Sequence, residues 1–256
     1  KVKVTDKFWQ GYQELVMDTV IPYQEKILND EIPGVEKSHA LANFRIAAGL
    51  EEGEFYGMVF QDSDVYKWLE AVGNILMLER DEELEKQADS VIDLIAKAQE
   101  EDGYLDTYFS IEEPDKKWTN VLECHELYCA GHFIESAVAY YRATGKEKII
   151  QVAYKLADYL DTVFGPEEGK LHGYPGHQEI EIALIKLYDL SGNEKYLKLA
   201  GYFINTRGTN HFFEEEFEKR DHVSFWEKAD DTHTVVRLAT SWSTTVQDME
   251  ELGEWL

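Results

Sequence analysis

Apolar residues recur along most of this chain with the 3.6-residue period of amphipathic helices, in paired segments joined by short polar turns. In "DSDVYKWLEAVGNILMLER", Val65, Trp68, Leu69, Val72, Ile75 and Leu76 form an i, i+3, i+4, i+7 stripe. Asp62 and Ser63 precede it as N-cap candidates. "DEELEKQADSVIDLIAKAQEEDG" follows, with acids early, Leu84, Ala88, Val91, Ile92 and Ile95 on one face, and Gly103 as terminator. The opening "DKFWQGYQELVMDTVIPYQEKILND" has the same period through Phe8, Tyr12, Leu15, Val16 and Ile27, interrupted by Pro22. Residues 31–61, with Gly34, Gly49, Gly53 and Gly57, read as loop.

The paired unit repeats. "ECHELYCAGHFIESAVAYYRATGKEKIIQVAYKLADYLDTVFG" and "HQEIEIALIKLYDLSGNEKYLKLAGYFINTRG" each read as helix, tight turn, helix, glycine, with near-copy turns at Gly145 and Gly192. Repeated helical hairpins point to a solenoid or a toroid. In each pair the first helix carries polar residues within an apolar sequence: Asp62 and Asp64, then His125 and His132, then His177 and Glu181. The second is an ordinary amphipath. That asymmetry predicts first helices around a central hollow and second helices outside, an all-α barrel. Residues 1–208 form its partial barrel domain and 209–256 a divergent tail.

Composition narrows the partners. The chain has 51 acidic against 25 basic residues, a net charge of −26, which disfavours nucleic acid and anionic membrane surfaces as partners. No run approaches the ~20 apolar residues of a membrane span. Cys124 and Cys129 stand roughly 140° apart around a helix and do not face each other. Two thiols without a disulfide framework point to a reducing, cytoplasmic location. The loops "EDGYLDTYFSIEEPDKKWTN" and "GPEEGKLHGYPG" are rich in aromatics and acids, which suit a neutral carbohydrate.

"HELYCAGHFIE" concentrates the candidate chemistry. His125, Cys129 and His132 fall at i, i+4 and i+7, on one face if a single helix carries all three. That spacing spreads them over roughly 10.5 Å of rise, too far for one ion to meet all three, so no metal site is expected here. Glu179 and Glu181 follow "GYPGH", and Asp62 and Asp64 open another helix; each reads equally as a cap or a solvated acid.

The phrases "LANFRIAAGL", "FQDSDVYKWLEAVGNIL", "AQEEDGYLDTYF", "HELYCAGHFIESAVAYYRATGKEK" and "LHGYPGHQEIEIALIKLYDLSGNEKYLKLAGYFINTRG" together resemble glycoside hydrolase family 127. The resemblance runs from about Val4 to Gly208. It implies an (α/α)6 catalytic barrel, here incomplete at about eight of twelve helices, and retaining hydrolysis of β-L-arabinofuranosides of plant glycoproteins. Carried over by position, it implies that His125 and His177 contact the arabinofuranose. Asp64 and Glu179 lie in matching phrases as further pocket-lining candidates, and His233 is shared with the next inner helix.

The resemblance also implies a cysteine nucleophile held in a zinc site of cysteines and a glutamate, with a second glutamate as acid/base. All of these belong downstream of the matching phrases, and Cys124 and Cys129 sit in the upstream "CHELYC". The expectation is therefore a truncated relative with no catalytic residues of its own and no cofactor in this chain, zinc belonging to full-length relatives. An open barrel leaves helix faces free to pair with a second copy. Two other readings stand beside the hydrolase: a non-catalytic carbohydrate-binding or interaction module, and a sugar epimerase or unsaturated-uronide hydrolase on the same toroid.

Overall fold

The stripes through Val65–Leu76 and Leu84–Ile95 are the buried faces of two helices, whereas Phe8, Tyr12, Leu15 and Val16 form an exposed one. The computed structural model describes residues 4–207 and the backbone of residues 224–228 and 234–237. Contacts divide the chain into Lys1–Arg207 and Gly208–Leu256. The first unit is all-α. It contains α1 (Lys7–Leu15), α2 (Ile21–Leu28), α3 (Ala40–Ala47), α4 (Asp62–Leu78), α5 (Glu82–Ala98), the short α6 (Thr107–Ile111), α7 (Glu126–Thr144), α8 (Glu147–Val163), α9 (Ile180–Ser191) and α10 (Glu194–Thr206). In the second unit, β1 (Ser224–Lys228) and β2 (Thr234–Arg237) pair antiparallel, Ser224 opposite Arg237, with an irregularity between Phe225 and Glu227.

Three hairpins, α4–α5, α7–α8 and α9–α10, make two layers, as an incomplete toroid requires. The first helices pack in the order α4, α7, α9, and the second helices in the order α5, α8, α10. The repeated turns end α7 and α9 in the same way. Gly145 (φ 73°) and Gly192 (φ 68°) adopt the left-handed conformation, and their N–H groups bond the carbonyls of Tyr141 and Tyr188.

α7 is buried almost all round, with Leu127, Cys129, Phe133, Ile134, Ala137, Val138 and Tyr140 in the core. Glycines let its neighbours approach. A Cβ on Gly73 of α4 would lie 2.7 Å from the Tyr140 backbone nitrogen, and one on Gly131 of α7 would lie 2.9 Å from that of Ile180. Apolar side chains stay exposed on α1 (Phe8, Trp9, Tyr12, Leu15) and on α9 and α10 (Ile182, Ile185, Leu197, Ile204).

Three local expectations change. Pro22 does not interrupt its helix. A π-helical turn, Val16–Val20, joins α1 to α2 without a break, and its wider register, with the Ile21 N–H on the Val16 carbonyl, precedes Pro22 in the second position of α2. Residues 31–61 are not all loop, because "ALANFRIA" forms α3 and buries Ala40, Leu41, Asn43 and Phe44. Its eight residues are too few for the period to stand out among glycines. Asp62 does not cap α4. It is buried within the first turn and accepts hydrogen bonds from the Thr107 backbone N–H (2.8 Å) and hydroxyl (2.5 Å), tying α4 to α6.

Burial pushes the Asp62 carboxyl up to about 6 despite the Thr107 bonds. It pushes Glu126 up to about 7 despite hydrogen bonds from Tyr104 and Trp118. Both groups keep protons in the folded chain at pH values where the unfolded chain, titrating nearer 4, has lost them. Their contribution to stability is therefore fully present below about pH 4 and is lost as pH rises through 6 and 7. The thermal midpoint should fall between about pH 5 and pH 8, and Glu126→Gln should flatten that slope; an unchanged slope in the variant would refute this assignment. Gly73→Ala should cost about 1–3 kcal/mol by urea unfolding, since the clash is with backbone.

Candidate functional site

The two histidines singled out in the sequence meet although 52 positions separate them. Their ring centroids lie 6.2 Å apart. Tyr128 packs against both, 5.6 Å from His125 and 4.7 Å from His177, and Phe60 flanks His125 at 5.1 Å. The result is an aromatic wall of Phe60, His125, Tyr128 and His177, with His177 exposed at its edge. The Lys67 ammonium stands 5.1 Å from the Tyr128 ring centroid.

His125 does not belong to the helix body. It precedes α7 in the left-handed region (φ 59°), and its Nδ1 meets the Glu123 carbonyl. A non-glycine residue there is strained and needs its surroundings to hold it. Glu126 holds them. Its buried carboxylate accepts the Tyr104 hydroxyl (2.7 Å) and the backbone N–H of Trp118 (2.9 Å), fixing the 118–125 loop against the helix head.

The His177 segment is pinned from both sides. Gly176 donates to the Val121 carbonyl at 3.3 Å, so the two histidine loops touch directly. A Cβ on Gly176 would lie 2.1 Å from the Leu122 carbonyl oxygen. On the other side Arg207 donates to the Pro175 carbonyl (2.6 Å) and pairs with Glu181, which accepts the Glu179 N–H at 3.1 Å.

With His125 outside the helix, the functional face of α7 is Tyr128, His132 and Glu135, again at i, i+4 and i+7. Cys129 points elsewhere and is fully buried. His132 stands edge-on behind Tyr128, with ring centroids 4.4 Å apart. Its Nδ1 lies 3.3 Å from Glu179 Oε1, yet neither buried atom completes a hydrogen bond. Burial, followed by the charge of Lys67, lowers His132 to about 4, so the imidazole is neutral and the contact is not an ion pair. Glu179 is hydrogen-bonded to Glu135. Burial first, then Glu135 and Glu70, raises Glu179 to about 8. Burial alone would raise Glu135 as well, but the Glu179 hydrogen bond and the Lys186 ammonium carry it below its ordinary value. Lys186 pairs with Glu135 and lies 3.8 Å from a Glu70 oxygen.

Of the other candidates, Glu179 thus engages the cluster behind the wall. Asp64 is exposed on α4, one turn before Lys67. His233 lies outside the described residues. Phe60, Tyr128, Glu70, Glu135 and Lys186 were not singled out from sequence. For Tyr128, His132 and Glu135 the signal was their own helical spacing, hidden by starting the helix at His125.

The cysteine-bearing zinc centre implied by the resemblance does not fit these residues. The chain's two cysteines are Cys129, in the core, and Cys124, half-buried before the helix; both are free thiols. Among the described residues the group of donors that does converge is Glu70, His132 and Glu135, without a cysteine.

The chain matches the β-L-arabinofuranosidase GH127 catalytic-domain family over residues 1–254. It belongs to that family. The match takes in the tail as well as the helical unit. A non-reducing end β-L-arabinofuranosidase of Bifidobacterium longum subsp. longum is 47% identical over 223 residues, covering 81% of this chain and 34% of that protein. The crystal structure of a GH127 β-L-arabinofuranosidase from Geobacillus stearothermophilus T6 shares 59% identity with a TM-score of 0.83, covering 86% of this chain and 35% of that one. A second solved GH127 β-arabinofuranosidase shares 36% identity with a TM-score of 0.75, over 82% of this chain and 33% of its own. The family member described here spans about a third of the length of these relatives.

Gly176→Ala should separate the two loops of this GH127 chain. The expected result is a loss of about 1–3 kcal/mol in urea unfolding, and loss of nuclear Overhauser contacts between the Tyr128 and His177 rings. The far-UV circular dichroism should not change. Retained ring contacts would show that the glycine is not what brings the histidines together.

Proposed function

We propose that this chain supplies the sugar-recognition wall of a GH127 retaining hydrolase acting on β-L-arabinofuranosides. The observation that carries this reading is the convergence of His125 and His177 around Tyr128. Two imidazoles about one pentose apart can each donate or accept a hydrogen bond to a ring hydroxyl, and the tautomer of each adapts to the hydroxyl it meets. Tyr128 and Phe60 offer apolar faces to the sugar's C–H surface and exclude water from it. The wall itself carries no carboxylate, which suits a neutral ligand in a chain of net charge −26.

Retaining hydrolysis needs a proton donor for the leaving oxygen and a nucleophile on the opposite face of the sugar. The described residues contribute binding and orientation to that reaction. Asp64, exposed one turn before Lys67, is within this reading a further residue lining the sugar pocket. Glu179 keeps its proton at neutral pH and supports the wall from behind without placing a second negative charge beside Glu135.

Titration with methyl β-L-arabinofuranoside, followed by chemical-shift perturbation, tests the reading. Binding should perturb the His125, Tyr128 and His177 ring signals. His177→Ala and His125→Ala should each weaken binding about tenfold, as expected for removing one hydrogen bond to ligand. The thermal midpoint should be unchanged in the exposed His177 variant and lowered in the packed His125 one. Equal binding by both variants, or perturbation confined to other aromatic residues, would refute the wall. Turnover of a chromogenic β-L-arabinofuranoside separates a hydrolase from a module that only binds.

A further inference from the structure

Behind the wall, His132 and Glu135 project from α7 at i, i+3, and Glu70 meets them from α4. One ligand atom of each lies within 4.8 Å of the other two. A histidine and a glutamate three apart on one helix, faced by a glutamate from a neighbour, use the same donor types and i, i+3 spacing with which helical bundles hold first-row metal ions, here in the order His-x-x-Glu rather than Glu-x-x-His. Ligand atoms around one such ion stand about 2.0–2.2 Å from it, so these three close on a common centre with small side-chain rotations.

Two observations set this group apart from the many acidic clusters of an acidic surface. It is partly enclosed: the side chains of Glu135, His132 and Glu70 are 10%, 14% and 27% exposed. It also holds two buried polar atoms without hydrogen-bond partners, His132 Nδ1 and Glu179 Oε1, which face each other at its edge. Buried polar atoms left unmatched are costly and call for an explanation. Charge points the same way. Three carboxyl groups, of Glu70, Glu135 and Glu179, stand near the Lys186 ammonium, which pairs with two of them, while the Lys67 ammonium acts on His132 from the Tyr128 side. Lys186 is 39% exposed, so its flexible stem can carry the ammonium out to water.

We propose that Glu70, His132 and Glu135 form a binding site for a divalent first-row metal ion such as Zn²⁺ or Mn²⁺, with Lys186 as the resident cation that an entering ion displaces. One neutral imidazole and two carboxylates suit such ions. Glu179 stands beside the site as a further oxygen donor. Because His132 backs Tyr128, an ion here would stiffen the wall without touching the sugar, in the way that groups around a site orient those within it. The site does not depend on the sugar reading, since its test involves no sugar.

Calorimetric titration of the chelator-treated chain with ZnCl₂ or MnCl₂ tests it. One strong site per chain is expected above the weak binding of surface acids. His132→Gln should weaken that site at least about tenfold. Lys186→Met should strengthen it, because the competing ammonium is gone. In the unsubstituted chain, Mn²⁺ should broaden the His132 imidazole signals before those of His39 and His172, a readout that needs no variant to fold. The proposal is overturned by surface-type binding alone in both the unsubstituted chain and Lys186→Met, by a strong site indifferent to His132→Gln, or by Mn²⁺ broadening elsewhere first.

Discussion

The close passage of α7 between α4 and α9 is the constraint on which the rest of this structure depends. Helices normally pack with axes 8–10 Å apart, held there by their side chains. Here Gly73 brings α4 against the backbone of Tyr140, and Gly131 brings α7 against the backbone at the head of α9. The second contact does more than fill space. It fixes Ile180 and Glu179, and through them the segment that carries His177. A larger spacing at that crossing would move His177 away from Tyr128 while leaving every helix intact. The site is thus a consequence of how closely inner helices approach, and only secondarily of the loops that bear its residues.

Helical periodicity carries a long way in this chain because its helices are long and its turns repeat. The α4 stripe from Val65 to Leu76 is buried throughout, and the paired turns at Gly145 and Gly192 share one left-handed cap. What periodicity could not convey is where a chain stops being helical for reasons outside the helix. His125 fits the α7 pattern by spacing, yet the Glu126 clamp on Trp118 and Tyr104 turns it out by one residue. That single displacement changes which residues share a face, replacing His125, Cys129 and His132 with Tyr128, His132 and Glu135. Asp62 is a similar case: a good cap by residue type, it is claimed instead by Thr107, 45 positions away. Long-range partners of buried polar groups are the part of a fold that local pattern does not encode.

The acidic composition takes on a different meaning once the interior is known. A net charge of −26 describes the surface, where carboxylates are solvated and screened. Inside, burial raises Asp62, Asp106, Glu126 and Glu179 above their ordinary values, so these carboxyls hold their protons to higher pH than solvated ones. Glu135 is the exception because Lys186 and Glu179 stabilise its charge.

That difference bears directly on how the aromatic wall can work. A neutral sugar gains little from a strong local field, and a buried unpaired carboxylate next to it would compete for water that the wall must exclude. The layer behind the wall avoids this in three ways at once. His132 is neutral, Glu179 is protonated, and Glu135 is matched by a lysine. The same layer keeps donor atoms without hydrogen-bond partners close to an ammonium that can leave. One set of residues can then present an uncharged face to a ligand in front and a charged, adjustable face to a cation behind. Tyr128 and His132, packed edge to face on adjoining turns of α7, link the two.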